Sequence, residues 1–198
     1  MKPVANTLAS VNCDGRRGLT LLLLCALLLI PVLFGEAGQQ ALRYERTGLA
    51  QGELWRLLSA HVVHLGLRHA LVNVLGLALL WGLFARDYRP REWLLIVVAA
   101  ALAIDAGLWL SASTVRWYVG SSGVLHGVLA AGTLAHLRRG EAEGWLLALV
   151  LIGKLLYEHW RGPLPFSGEI PVVTSAHLYG ALGGAAVALA LRRAPVPL

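Results

Sequence analysis

The sequence predicts an all-α integral membrane protein of six transmembrane helices, with both termini in the cytoplasm. Three observations predict it. The chain of 198 residues is 57% hydrophobic and only 14% charged. Its mean hydropathy of +0.65 exceeds what a soluble core of this size requires. Its apolar residues fall into six runs, 19–34, 69–84, 93–110, 122–137, 145–157 and 176–191, each separated from the next by Arg, Pro, Gly or acidic clusters.

Most of these runs are shorter than the roughly 20 residues a span usually takes. Short spans imply a locally thinned bilayer or helix ends that open into a wet cavity. The first run has a second reading as a signal peptide: a basic segment and an apolar core are followed by the small-x-small run Gly35-Glu36-Ala37. Either reading leaves the later helices in the same orientation. The domain plan is a tail over 1–18, a membrane domain over 19–192 and a short tail over 193–198, with no room for an appended soluble domain.

The net charge of +6 is not gathered on one face, so nucleic acid is not an expected partner. The basic residues are divided between loops instead. With the N-terminus inside, the inner segments hold Lys2, Arg16, Arg17, Arg86, Arg89, Arg91, Arg138, Arg139, Arg192 and Arg193. The outer segments hold only Arg43, Arg46, Arg56, Arg68, Arg116 and Arg161, spread over longer loops. That bias places both termini inside. The two long outer loops are 35–68, which carries Trp55 at the interface, and the Pro- and Gly-rich 161–174, which is suited to capping a cavity. Cys13 and Cys25 have no metal-ligand spacing.

Topology then places the polar residues. The second, fourth and sixth spans run from outside to inside, so His69, Asn73, Ser122 and His177 all lie toward the outer leaflet. Gly123 and Gly127 on the fourth span lie beside the face that bears Ser122 and His126. His177, Gly180 and Gly184 form one stripe on the sixth, with Ala181 beside it. Small residues at this spacing let membrane helices approach backbone to backbone, because packing drives their association. Taken singly, the glycines read as ordinary packing and Ser122 as an N-cap. An ionisable group at mid-membrane costs about 2.5 to 3.5 kcal/mol on insertion scales, so His177 is harder to dismiss.

Together these residues suit acyl transfer. A serine hydroxyl becomes a nucleophile when a base within reach takes its proton, and neutral imidazole does this near neutral pH. The amide of Ser122, at the positive end of a helix, and side-chain donors from His69 and Asn73, one turn apart on the second span, suit an oxyanion.

In this order the residues resemble the rhomboid family of intramembrane serine proteases. The resemblance spans roughly 54–191: Trp55-Arg56, His69-x-x-x-Asn73, Gly120-x-Ser122-Gly123 and His177-x-x-Gly180. It implies a six-helix rhomboid-like bundle, with Ser122 as nucleophile and His177 as general base. His69, Asn73 and the Ser122 amide form the implied oxyanion hole, supported by Gly120, Gly123, Gly180 and His126. Within the family, Leu42-Arg43-Tyr44-Glu45-Arg46 and the run GSSGVLHG resemble the rhombosortase branch. That branch implies substrates anchored by a C-terminal transmembrane helix, with a Gly-Gly motif before it and a basic tail after it. They would be cut near the periplasmic face of a bacterial inner membrane.

One position departs from the family. Where many rhomboids carry Tyr four residues after the serine, this chain has His126, which can stack on His177 or compete for Ser122. No Asp is evident to orient His177, so a dyad is expected. The loop 161–174 is placed to lift and admit substrate, and the resemblance implies that the fifth span beside it is the lateral gate. The cluster His61, His64 and His69 does not make one helical ligand face, so no metal and no cofactor is expected and activity should survive chelation. His61 and His64 read as interfacial or supporting residues.

Asp105 and the Lys154–Glu158 pair read as helix-bridging groups. They also suit a proton-coupled transporter, although the chain lacks repeated halves and broken helices. A catalytically silent relative that binds transmembrane helices is the other alternative. Resolution of an acyl-enzyme by an amine, giving transfer, shares the machinery of hydrolysis.

Overall fold

A computed structural model describes residues 11–165 and 171–191. Lys2, Arg192, Arg193, the tail 193–198 and the middle of the loop 161–174 lie outside the described residues. The chain divides into two compact units, one comprising the chain up to Arg89 with Trp117–Ser122, the other Pro90–Arg116 with the chain from Gly123 onward.

The first unit begins with α1 (Gly15–Leu29), which passes through a 3-10 turn at Ile30–Phe34 into α2 (Gly35–Leu42). The expected first span, 19–34, is therefore extended at both ends. Pro31 sits at the start of the 3-10 turn, where its missing N–H costs nothing, and Gly35 (φ 59°) re-aims the chain without ending it. Short helices α3 (Arg46–Ala50) and α4 (Arg56–Ser59) follow strand β1 (Tyr44–Glu45), and α5 (Leu67–Phe84) packs against α1. The Asn12 side chain donates to the carbonyls of Trp81 and Gly82, and the Trp81 indole donates back to the Asn12 carbonyl at 2.8 Å. Strand β2 (Trp117–Tyr118) pairs antiparallel with β1, Tyr44 opposite Tyr118 and Glu45 opposite Trp117.

The second unit consists of α6 (Pro90–Ser111), α7 (Ser122–Arg138, from Gly123), α8 (Ala142–Arg161) and α9 (Thr174–Ala190). Its closest helix contacts are made by small residues, as the glycine spacing predicts. A Cβ on Gly180 would collide with the Gly123 carbonyl, and one on Gly184 with the Gly127 carbonyl, so α7 and α9 touch along both glycine pairs. On its other side α9 lies against α6: a Cβ on Gly183 would come 2.6 Å from the Ala99 carbonyl oxygen. The α8 helix packs through Leu151 and Leu155 onto Ala130 of α7 and Ala181 of α9. Arg138 closes the end of α9, donating to the carbonyls of Ala188, Leu189 and Leu191 that have no partner within a helix.

Large apolar side chains cover much of the outside, among them Leu22, Leu75, Leu79, Leu149 and Trp160. Such a surface suits hydrocarbon rather than water. Among the described residues, three helical segments, Gly15–Leu42, Leu67–Phe84 and Pro90–Ser111, are long and apolar enough to cross a membrane by length and composition. The α7 and α9 helices have 17 residues each, and the 20 residues of α8 include Lys154 and Glu158.

Candidate active site

In the first unit, the chain before Ser122 is held by backbone and neutral side-chain bonds. Pairing with β1 aligns β2. The Tyr118 hydroxyl then donates to the Gly120 carbonyl at 2.7 Å, and the Gly120 N–H donates to the Ala60 carbonyl at 2.9 Å. Gly120 has φ 118°, and a Cβ there would sit 2.9 Å from His69 Cε1, so glycine is required twice over. The segment that supplies Ala60 is clamped by Arg56, which donates to the carbonyls of Gln40 and Arg43 and pairs with Glu53.

His69 lies in the first turn of α5, which Gly66 (φ 121°) begins. The Leu65 N–H donates to His69 Nδ1 at 3.3 Å, which assigns the ring hydrogen of the neutral imidazole to Nε2. Asn73, one turn later and buried, donates from Nδ2 to the His69 carbonyl at 2.9 Å and accepts at Oδ1 from the Ser121 hydroxyl at 3.1 Å. Ser121 Oγ lies 3.2 Å from His64 Nε2. With its oxygen committed to Ser121, the Asn73 amide presents its N–H groups, the polarity an anion needs.

Ser121 and His64 were not among the residues the motifs singled out for Asn73. His61 and His64 are also buried, His61 beside the Tyr118 ring and His64 edge-on to His69. Burial, with His69 adding to it, pushes the His64 imidazole down to about 4, so it is neutral at ordinary pH. Ser122, next to Ser121 in sequence, ends the first unit and begins α7.

In the second unit, His177 is buried in the first turn of α9. His126 on α7 stacks on it, ring centroids 4.2 Å apart and planes at 19°. His126 thus stacks on His177 at the position where the resemblance leads one to expect Tyr.

The sequence shows no Asp to orient His177; the carboxylate beside it is that of Glu158. Glu158 Oε2 on α8 lies 2.8 Å from His177 Nδ1, and Lys154 Nζ lies 2.6 Å from the same carboxylate oxygen and 3.2 Å from Nδ1. Lys154 and Glu158 do form the expected bridge, but its anionic end also reaches the imidazole. The signal was present in the sequence as i, i+4 spacing, and only the packing of α8 shows that His177 shares it.

Donor atoms of His126, Glu158 and His177 lie within 4.8 Å of one another, the spacing of a metal site. The chemistry of the set argues otherwise. Imidazole nitrogens bind a metal in the ring plane, and two stacked rings hold their lone pairs in separate, nearly parallel planes. The carboxylate is already paired with an ammonium. The histidines first considered as a metal cluster are engaged elsewhere, His64 with Ser121 and His69 with the Leu65 amide.

Residues 51–194 match the family model described as the Rhomboid domain. Among curated relatives, YdcA of Bacillus subtilis (strain 168), which carries a rhomboid protease name, is 26% identical over 137 residues, 69% of this chain and 67% of that protein. The rhomboid protease GluP of the same organism is 30% identical over 153 residues, 76% of this chain but only 29% of GluP. The match covers most of the chain and includes Trp55-Arg56, His69, Asn73, Ser122 and His177, and with the apolar helices it makes this a membrane protein: the chain belongs to the rhomboid family, whose curated relatives are named as proteases.

Proposed function

We propose that the protein is an intramembrane serine endopeptidase in which Ser122 is the nucleophile and His177 the general base. One observation carries the reading. His177 Nδ1 faces a carboxylate at 2.8 Å, which puts the ring hydrogen on Nδ1 and the basic lone pair on Nε2. The histidine is carried by α9, whose glycines pack on α7, the helix that Ser122 begins.

In the proposed reaction Ser122 Oγ attacks the peptide carbonyl carbon while its proton passes to His177 Nε2. The carbonyl oxygen becomes an anion that accepts hydrogen bonds from His69 Nε2, Asn73 Nδ2 and the Ser122 amide. Collapse breaks the C–N bond, and the imidazolium returns the proton to the leaving amine. Water, activated by the same imidazole, then releases the acyl group. An amine in place of that water would give transfer.

The hydrogen assignments at His69 and Asn73 support their role as donors. The proposed bundle has six spans with cytoplasmic termini, and the active site opens toward the periplasm of a bacterial inner membrane. The proposed substrates are single-span proteins with a C-terminal Gly-Gly motif, apolar helix and basic tail. They are proposed on the rhombosortase-like residues around Arg43 and Ser122. A helix-binding relative without turnover has no evident use for a carboxylate-held imidazole, and a transporter has none for hydrogen-bond donors arranged for an anion.

The test is reconstitution of the protein and a Ser122→Ala variant in liposomes with such a substrate, read by intact mass. Cleavage lost in the variant supports the proposal. Cleavage that survives in Ser122→Ala removes it, and a product of added mass identifies transfer.

A further inference from the structure

The α8 helix is apolar and exposed around most of its circumference: Trp145, Leu146, Leu149, Val150, Ile152 and Trp160 are all more than half exposed. Its buried residues are Gly144, Leu151 and Glu158, spaced seven apart along one stripe. Burying a carboxylate there is costly for a helix in a lipid environment, and a purely structural stripe would use another Leu. Glu158 is 5% exposed, and its Oε2 meets two partners, Lys154 Nζ on its own helix and His177 Nδ1 on α9.

Two proton arrangements fit these atoms. In one, His177 donates from Nδ1 to Glu158, and Lys154 donates to the same carboxylate. In the other, Lys154 donates to Nδ1, and the ring hydrogen sits on Nε2, where the histidine cannot act as a base. The carboxylate is the nearer group to Nδ1, at 2.8 Å against 3.2 Å, and it can only accept. The first arrangement also gives every polar group a complementary partner. His126 closes the other face of the ring by stacking, which leaves the imidazole little rotational freedom.

We infer that Glu158 is a positioning residue that turns the expected Ser–His dyad into a Ser–His–Glu triad, with Lys154 as the counter-ion that keeps the buried carboxylate ionised. This rests on the proposal that His177 is the base for Ser122. Glu158 holds the imidazole in the tautomer that can accept the serine proton and stabilises the imidazolium once it forms. Lys154 balances the carboxylate before reaction, so the cluster is neutral at rest and gains a single positive charge when His177 takes the proton. The same logic makes the carboxylate of a soluble serine protease an orienting rather than a proton-accepting group.

The test measures the rate at which a fluorophosphonate labels Ser122. The Oγ–P bond forms, the P–F bond breaks with loss of fluoride, and the serine proton passes to His177, so no natural substrate is needed. Concentration series separate the maximal labelling rate from the half-saturating probe concentration. Glu158→Gln, which keeps the shape but can present an N–H to Nδ1, is expected to cut the maximal rate by at least roughly a hundredfold, with half-saturation changed less than about threefold. Glu158→Asp should recover part of that rate, and Lys154→Met should fall between wild type and Glu158→Gln.

A maximal rate in Glu158→Gln within about threefold of wild type overturns the inference. So does a loss shared equally by Glu158→Asp and accompanied by a lower melting temperature, which marks a purely structural bridge. Labelling that persists in Ser122→Ala instead overturns the serine–histidine reading itself. Labelling lost in Ser122→Ala but normal in Glu158→Gln overturns only the triad.

Discussion

The two units prepare polar groups in different ways. Around Gly120 and α5, neutral groups are aimed by backbone bonds: the Leu65 amide sets the His69 ring, Ser121 sets the Asn73 amide, and β-pairing sets Tyr118 under Gly120. Around α8 and α9, charged groups meet across helices that glycines allow to touch: Lys154, Glu158 and His177 share one carboxylate oxygen. The difference follows from what each region is proposed to do. Donors to an oxyanion must stay put and need no change of charge during the reaction. A base gains a proton and needs a counter-charge already in place.

The comparison is broken most sharply at His177. Replacing it with Ala is expected to reduce turnover by roughly 10⁴-fold or more, as loss of a general base does elsewhere. His126→Ala, which removes only the stacked ring, should cost far less; equal losses would make His126 a candidate for the base. In the neutral region, Asn73→Ala is expected to lower kcat by about 10²- to 10³-fold, the usual effect of losing one oxyanion donor. Little change in KM would accompany it, and a loss confined to KM would remove Asn73 from the oxyanion hole.

The neutral region also carries a pH signature. His64 has its folded pKa pushed down to about 4 by burial, against an ordinary value near 6.5. Between about pH 6.5 and 4 the unfolded chain binds a proton that the folded one does not. Stability should therefore fall with pH through that window and level off below it, by roughly 3 kcal/mol in all. Melting temperatures at pH 7.5 and 4.5 should diverge more in wild type than in His64→Gln, and equal slopes would discount the buried imidazole. The smallest effect is expected from Ser121→Ala, about tenfold in kcat, because Asn73 keeps its bond to the His69 carbonyl while losing one of two restraints.

Much of this was legible in the residues. The pairs Gly123–Gly180 and Gly127–Gly184 were readable because only glycine at that spacing permits helices to touch, and the touch is where the spacing puts it. That His69 and Asn73 lie one turn apart on one helix was readable from their spacing. Helix ends were less so: the first helical segment runs from Gly15 to Leu42 because a 3-10 turn joins two pieces that differ in polarity. The support for each proposed catalytic group was not readable. Ser121 adjoins the motif serine, yet it is the tertiary fold of the first unit that brings it to Asn73 and His64.

The sequence by itself determined that the chain is helical, apolar and built to bring small-residue stripes together, because hydropathy and residue spacing are local properties that survive any arrangement. Only the tertiary structure decided which hydrogen each imidazole carries and which charge stands behind it. A tautomer is set by the nearest hydrogen-bond partner. For His177 that partner is 19 residues away on another helix, and nothing in the local sequence links the two.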